Sequence, residues 1–348
     1  MLRFYVLCCR NIIAVKRHIK SIPKEDLTIV INTLDNEFQT EAVAYCDENN
    51  IEYIITESNG TPSQGKNSVL DIFESSDYTH MVLIDGDDFL TPHGVWAYNQ
   101  IANSEDAPDV LGIEYQYGIW PEYGYNTTLG MASDFIEGTD NPYLNCSNKQ
   151  DPDQIHGHGT RCFLQPYSWW YDNLNGIVDD NNTEYGKAFK KVFTRWVNHC
   201  YKYISNWETH IRLVMFSKKA VNGFRYNPDF KVGEDTLLYL TYKDQHVKGN
   251  IVLNNLYEIY PTYVYDCRVG GIVEECKHVW DEEQQEWIFD RGWYTWLSKL
   301  TDKYDEMESN NLLHEIKIPE YNLVLPEGYI PNTMGLVKYP APKNIVYA

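Results

Sequence analysis

The sequence has no excess of positive charge: 29 Lys and Arg stand against 50 Asp and Glu, a net charge of −21 over 348 residues. That sign argues against sequence-independent binding to nucleic acid or anionic membrane through the whole surface, although a local basic patch can override it. No apolar run approaches the roughly 20 residues that cross a bilayer, and no signal peptide opens the chain. The eight cysteines, at 8, 9, 46, 146, 162, 200, 267 and 276, include no CxxC pair of the zinc or thioredoxin kind. Together these absences predict a cytoplasmic protein with reduced thiols and no membrane span. No internal repeat is visible. What is present is apolar content of 43% with 14% aromatic residues, enough for a sizeable core in one large domain or a domain plus an extension.

The most informative stretch is Met81-Val82-Leu83-Ile84-Asp85-Gly86-Asp87-Asp88. A continuous apolar run reads as a buried parallel strand, and ligands in open α/β sheets gather outside the carboxyl ends of such strands. Three carboxylates crowded around one glycine repel each other. A divalent cation and a phosphate-bearing ligand would complete the arrangement, because hard cations take oxygen ligands and bridge carboxylates to diphosphates. The plainer alternative is a solvated acidic turn.

Strand-like runs at Phe4 to Cys9, Leu27 to Asn32, Ile51 to Thr56, Met81 to Ile84 and Val110 to Tyr115 alternate with helical spacings such as Phe38-Ala42-Tyr45-Cys46 and Val69-Leu70-Phe73. Thr91 followed by Pro92 is a helix start, with threonine as cap. Such alternation predicts a parallel sheet with right-handed crossovers. From 118 to about 185 the rhythm is lost in Gly, Asn, Asp, Pro and aromatics, a pattern of lids and binding loops. Patterned blocks return at Phe189 to Tyr242 and Val252 to Gly271. Glu274 to Glu308 is acidic and amphipathic and predicts packed helices, and the proline-rich tail after Ile316 predicts an extended strap.

Several of these pieces stand in a telling order. Gly60-Thr61-Pro62-Ser63-Gln64-Gly65-Lys66-Asn67 precedes a helix and the Asp85-Gly86-Asp87-Asp88 strand end. Arg212-Leu213-Val214-Met215-Phe216-Ser217-Lys218-Lys219 leads to Asp229-Phe230-Lys231-Val232-Gly233-Glu234-Asp235-Thr236, and Tyr263-Val264-Tyr265-Asp266-Cys267-Arg268-Val269-Gly270-Gly271 closes the series. The ordered set resembles the inverting family-2 glycosyltransferases, whose GT-A fold is a Rossmann-like, mostly parallel α/β sheet flanked by helices. The resemblance implies a glycosyltransferase domain over 1–271, with a nucleotide-sugar-binding half at 1–117 and an acceptor-side half at 118–271, followed by an acidic helical extension and extended tail at 272–348. Three features depart from the family pattern: Lys66 replaces the usual arginine, the first strand ends in Cys8-Cys9-Arg10, and the closing motif has Asp266 and Arg268 but no histidine. Lysine keeps the charge and loses the bidentate fork.

The resemblance implies metal-dependent, inverting transfer of a sugar from a nucleotide-sugar donor, a UDP-sugar first, to a hydroxyl acceptor. Asp87 would be the main ligand of Mn2+ or Mg2+ in a DXD-type motif, Asp88 a second or water-mediated contact and Asp266 a further ligand. Asp85 would reach the donor ribose or the metal's water shell. Asn32 and Asp35 would meet base and ribose, Lys66 and Asn67 phosphate or base, and Arg212 and Arg268 the leaving diphosphate. Asp235 would take the acceptor's proton, with Glu234 holding the acceptor or tuning the pair. Each has a structural alternative: a turn at Asp35, a surface cap at Lys66, a salt bridge at Arg212, ordinary N-terminal helix charge at Glu234 and Asp235. His156-Gly157-His158-Gly159 with Cys162 reads as a flexible loop before a zinc site. The basic stripe Lys187, Lys190, Lys191, Arg195, His199 and Lys202 reads as a solvated helix face or as a groove for an anionic acceptor, including DNA with hydroxylated bases. Outside this class stand a nucleotidyltransferase and a catalytically silent sugar-nucleotide-binding protein.

Overall fold

The computed structural model of the chain describes residues 1–10, 12–113, 117–119, 184–204, 212–256, 262–266, 278–281, 286–289 and 291–329. Strands β1 (Leu2–Cys8), β2 (Leu27–Asn32), β3 (Glu52–Thr56) and β4 (His80–Asp85) alternate with helices α1 (Ile12–Ser21), α2 (Asn36–Asn49) and α3 (Pro62–Ser75). Next come β5 (Phe89–Leu90), α4 (Pro92–Ala102), β6 (Val110–Ile113) and β7 (Tyr117–Ile119). Helix α5 (Glu184–His199) runs into a π-helical turn, Cys200–Ile204, before β8 (Arg212–Ser217), α6 (Lys218–Val221), α7 (Glu234–Val247), β9 (Leu253–Leu256) and β10 (Tyr263–Asp266). Strands β11 (His278–Asp281) and β12 (Glu286–Phe289), helix α8 (Arg291–Ser309) and β13 (Glu320–Tyr321) follow.

Eight strands form the main sheet in the order β13-β9-β6-β8-β4-β1-β2-β3. All neighbours are parallel except those of β8, which runs against both β4 and β6. This is the expected mostly parallel α/β sheet, with helices in the connections. Parallel pairing forces the chain back over a face between strands, and the helices do this. The first three strands step outward, and β4 then returns on the other side of β1. The strand order therefore reverses between β1 and β4, the point outside whose carboxyl ends ligands of open α/β sheets gather, and there Leu7 and Asp85 are register partners.

Side-chain alternation loads both faces of the sheet. Tyr5, Val30, Met81 and Leu83 join Val69, Leu70 and Phe73 of α3 and Leu237, Leu238 and Tyr242 of α7 in one core. Phe4, Val6, Ile29, Ile31, Val82 and Ile84 join Phe38 and Ala42 of α2 and Val95 and Tyr98 of α4 in the other. Each such side chain adds about 1.5–3 kcal/mol relative to exposure. At the start of α4, Thr91 Oγ1 accepts the Gly94 N–H at 3.0 Å, with Pro92 at the first helical position as its sequence predicts. Among the described residues no helix is long and apolar enough to cross a membrane.

Beyond residue 272 one expectation changes and the extended tail gains a sheet partner. Within the acidic stretch, β11 and β12 pair antiparallel with Trp280 opposite Trp287 in register, so these residues are not helical. Val279-Trp280 and Trp287-Ile288-Phe289 are strand-favouring residues, and pairing overrides the helical spacing of the tryptophans. The tail contributes a strand, since β13 adds to the sheet edge beside β9.

Candidate active site

Strand β4 delivers Asp85 at its last residue, and the chain turns at once, the Asp88 N–H donating to the Asp85 carbonyl at 2.9 Å. Gly86 is required by close approach: a Cβ there would lie 2.5 Å from the Leu7 carbonyl oxygen and 3.1 Å from the Cys8 Cα. The acidic turn is thus laid directly on the end of β1. Cys9 borders it, its thiol pushed up by burial and by Asp87 and Asp85 against the opposing pull of Arg10. Beyond the turn, β5 pairs antiparallel with β10, Leu90 opposite Tyr263 and Phe89 opposite Val264, so β10 runs back alongside the turn toward Asp87. The Asp266 side chain and all of Arg268 lie outside the described residues.

Because β8 is antiparallel, its first residue reaches the same sheet edge as the last residue of β4. Arg212 therefore donates to Asp85 Oδ2 at 2.9 Å and stands 3.1 Å from Asp88 Oδ2. Tyr263 ties the group together: its hydroxyl donates to Asp88 Oδ2 at 2.8 Å and accepts from Arg212 at 3.1 Å and from the Asp85 N–H at 3.3 Å. The Arg212 guanidinium also lies 4.7 Å from the centre of the Tyr263 ring. Burial pushes Asp85 up, but Lys66 and Arg212 together outweigh it and hold the carboxyl below its usual range. Asp88 is fully buried, and burial reinforced by Asp87 and Asp85 carries it well above that range despite Arg212. Asp87 is half-buried. Arg212 forms the salt bridge that the sequence allowed for it.

The second acid pair opens α7. Gly233 is in the left-handed region at φ 80°, which favours glycine, and Glu234 and Asp235 form the first turn. Lys66 meets both: its Nζ donates to Glu234 Oε1 at 3.0 Å and to the two Asp235 oxygens at 2.9 and 3.0 Å, and stands 3.7 Å from Asp85 Oδ2. Ser63, Lys66 and Asn67 share one face of α3, three and four residues apart. Ser63 Oγ donates to the Phe230 carbonyl at 2.7 Å. The Asn67 amide donates to the Tyr226 carbonyl at 2.9 Å and accepts the Tyr226 N–H at 2.8 Å. Lys66 and Asn67 are thus drawn to the loop before α7.

Burial, with Asp235 adding and Lys66 opposing, pushes Glu234 up to about 7. Between its unfolded value, about 4.3, and about 7, the folded chain holds a proton that the unfolded chain has released. Stability from this group is full below the unfolded value and is lost as pH rises through the folded one. The unfolding free energy should fall by on the order of 3 kcal/mol across that window. Glu234→Gln, which mimics the protonated acid, should flatten the fall, as read by urea midpoints from pH 5 to pH 8.

Asn32 is buried and its amide donates to Thr56 Oγ1 and the Glu57 carbonyl, both at 2.8 Å, bracing the β2–β3 edge. Asp35 caps α2, accepting from the Glu37 and Phe38 N–H groups at 2.9 and 3.1 Å, the turn role its sequence offered. The basic stripe of α5 meets an acidic partner. Arg195 pairs with Asp302 and Asp305, His199 with Asp305 at 2.6 Å, and Lys202 with Glu308 at 3.1 Å, all on α8. Half of the basic stripe expected to line a groove for an anionic acceptor is therefore a helix–helix seam. His199, Asp305 and Glu308 are close enough to share a cation, but Arg195 and Lys202 already pair with the two acids. His156, His158 and Cys162 lie outside the described residues.

Sequence reasoning left out Tyr226, named Ser63 and Tyr263 only within motifs, and gave Trp296 no role at the site. The i, i+3, i+4 spacing of Ser63, Lys66 and Asn67 was the available signal for a shared face. Nothing local marks Trp296.

No protein-family model matches the chain, and no curated protein sequence matches it. Among solved structures, S. aureus TarS residues 1–349 superposes with a TM-score of 0.38 at 12% identity, covering 76% of this chain and 60% of that one. The same fragment in complex with UDP-GlcNAc gives 0.38 and 12%, covering 75% and 58%. A longer TarS structure gives 0.38 and 12%, covering 76% and 36%. The chain thus spans 60% or less of the length of these structures.

Proposed function

We propose that the chain is a divalent-cation-dependent, inverting glycosyltransferase that moves a sugar from a nucleotide-sugar donor, a UDP-sugar first, to a hydroxyl acceptor. One observation carries the reading: the Lys66 ammonium stands 3.7 Å from Asp85 at the end of β4 and 2.9 Å from Asp235 at the start of α7. The two acid sets, distant in sequence, meet at one ammonium.

The donor set suits a hard cation. Asp85, Asp88, Glu234 and Asp235 gather around Lys66 and Arg212, with Asp87 beside them in the turn, and burial, with neighbouring carboxylates adding to it, pushes Glu234 and Asp88 toward their protonated forms. Asp87, supported by Asp88 and by Asp266 from β10, would hold Mn2+ or Mg2+. When bound, the ion supplies Lewis-acid neutralisation of the departing diphosphate. Arg212 and Tyr263 fix Asp85 and Asp88, so the turn keeps its shape as charge builds on the leaving group. Asp235 takes the proton from the acceptor hydroxyl, and Lys66 aims it by donating to both of its oxygens. Glu234, buried behind it, fixes the other side of the ammonium. A base across the cleft from the leaving nucleotide gives in-line displacement and inversion.

The test is nucleotide release from UDP-N-acetylglucosamine, UDP-glucose and a GDP-sugar, with Mn2+, Mg2+ or EDTA, and the anomeric proton of the product followed by NMR. Cation-dependent release with inverted product supports the reading. Equal release in EDTA, or a retained anomer, overturns the metal or the inverting part respectively.

A further inference from the structure

Helix α8, within the extension, packs under the loop that delivers the two α7 acids. The Trp296 indole N–H donates to the Val232 carbonyl at 2.6 Å, and Lys299 Nζ donates to the Asp229 carbonyl at 2.7 Å. Lys299 also lies 5.0 Å from the centre of the Phe230 ring. A Cβ on Gly233 would fall 2.8 Å from a Leu300 methyl and 3.2 Å from the Trp296 ring, so the left-handed turn rests on α8. From the opposite side α3 holds the same loop at Tyr226 and Phe230. The backbone ahead of α7 is thus gripped at Tyr226 and Phe230 by one helix and at Asp229 and Val232 by the other.

We propose that Trp296 is a positioning residue for Asp235, which makes the C-terminal extension part of the transfer machinery. This rests on the reading of Asp235 as the acceptor-side base. Gly233 alone separates Val232 from the first turn of α7, so the direction of the Val232 carbonyl sets the entry angle of the helix and with it the place of the Asp235 carboxylate. A displacement of about 1 Å at a reacting group can cost about 10²-fold in rate. Phenylalanine keeps an aromatic ring in place but removes the N–H donor together with part of the indole that lies against Gly233.

The experiment is a double-mutant cycle on the full chain, with Mn2+ and UDP-N-acetylglucosamine or UDP-glucose as the donor, read as UDP release with water as acceptor. Trp296→Phe should lower kcat about tenfold with the donor KM within about twofold of wild type. In the Asp235→Asn background the same change should cost less than about twofold, because the group it aims is already disabled. A Trp296→Phe kcat equal to wild type, a change confined to KM, or a tenfold loss that persists in Asp235→Asn each overturns the proposal. Full turnover in Asp235→Asn alone overturns the base reading and the proposal together, which separates the two failures. If circular dichroism finds Trp296→Phe unfolded, Lys299→Met replaces it in the same cycle, with the same non-multiplying pattern expected and a multiplying one decisive against.

Discussion

Asp235→Asn should lower sugar transfer about 10²–10⁴-fold while nucleotide-sugar binding persists. The substitution is nearly isosteric, and its amide oxygen can still accept from Lys66, so the local fold should survive. What disappears is the capacity to take a proton at the mouth of the cleft. Asp235 is the accessible member of the pair, its side chain 28% exposed against 7% for Glu234, so it is the one that an acceptor can reach. The donor's diphosphate is assigned to the β4 turn, and the donor affinity measured by calorimetry should therefore change little. A transfer rate within about twofold of wild type would place the base elsewhere.

Lys66→Met should destabilise the chain by about 3–5 kcal/mol at pH 8, because it leaves a buried acid cluster without its shared counterion. The lower end is expected, since Asp235 and Asp85 keep 28% and 24% side-chain exposure and water can screen them. The deficit should shrink toward pH 5. Glu234 lies near 7 even with Lys66 beside it, and without the ammonium it takes up its proton more readily still, relieving the repulsion. The unfolding midpoint in urea at the two pH values reads this directly. Equal losses at pH 5 and pH 8 would mean that lysine contributes by packing alone.

Much of the fold was legible because parallel strands buried on both faces read as apolar runs. Leu27–Asn32 is wholly buried, and β4 carries its apolar run straight into Asp85. The Thr91-Pro92 helix start and the Glu234-Asp235 helix opening are local chemistry and could be read as such. The partners of Lys66 and Asn67 could not. Helical spacing places the two on one face with Ser63, but the loop they hold is more than 150 residues away in sequence. The same distance problem governs α5: its basic stripe looks like a groove until the acids of α8 pack against it. Arg212 reaches the acids only because β8 inserts antiparallel between β4 and β6, a pairing that no local pattern announces.

The most direct measurement is a crystal structure grown with Mn2+ and UDP, with the ion located by its anomalous signal. The account predicts the ion on Asp87, bridging to the UDP diphosphate, with the Asp235 carboxylate facing it across the Lys66 cleft. An ion held only by His199, Asp305 and Glu308, or a nucleotide bound away from the end of β4, would contradict it.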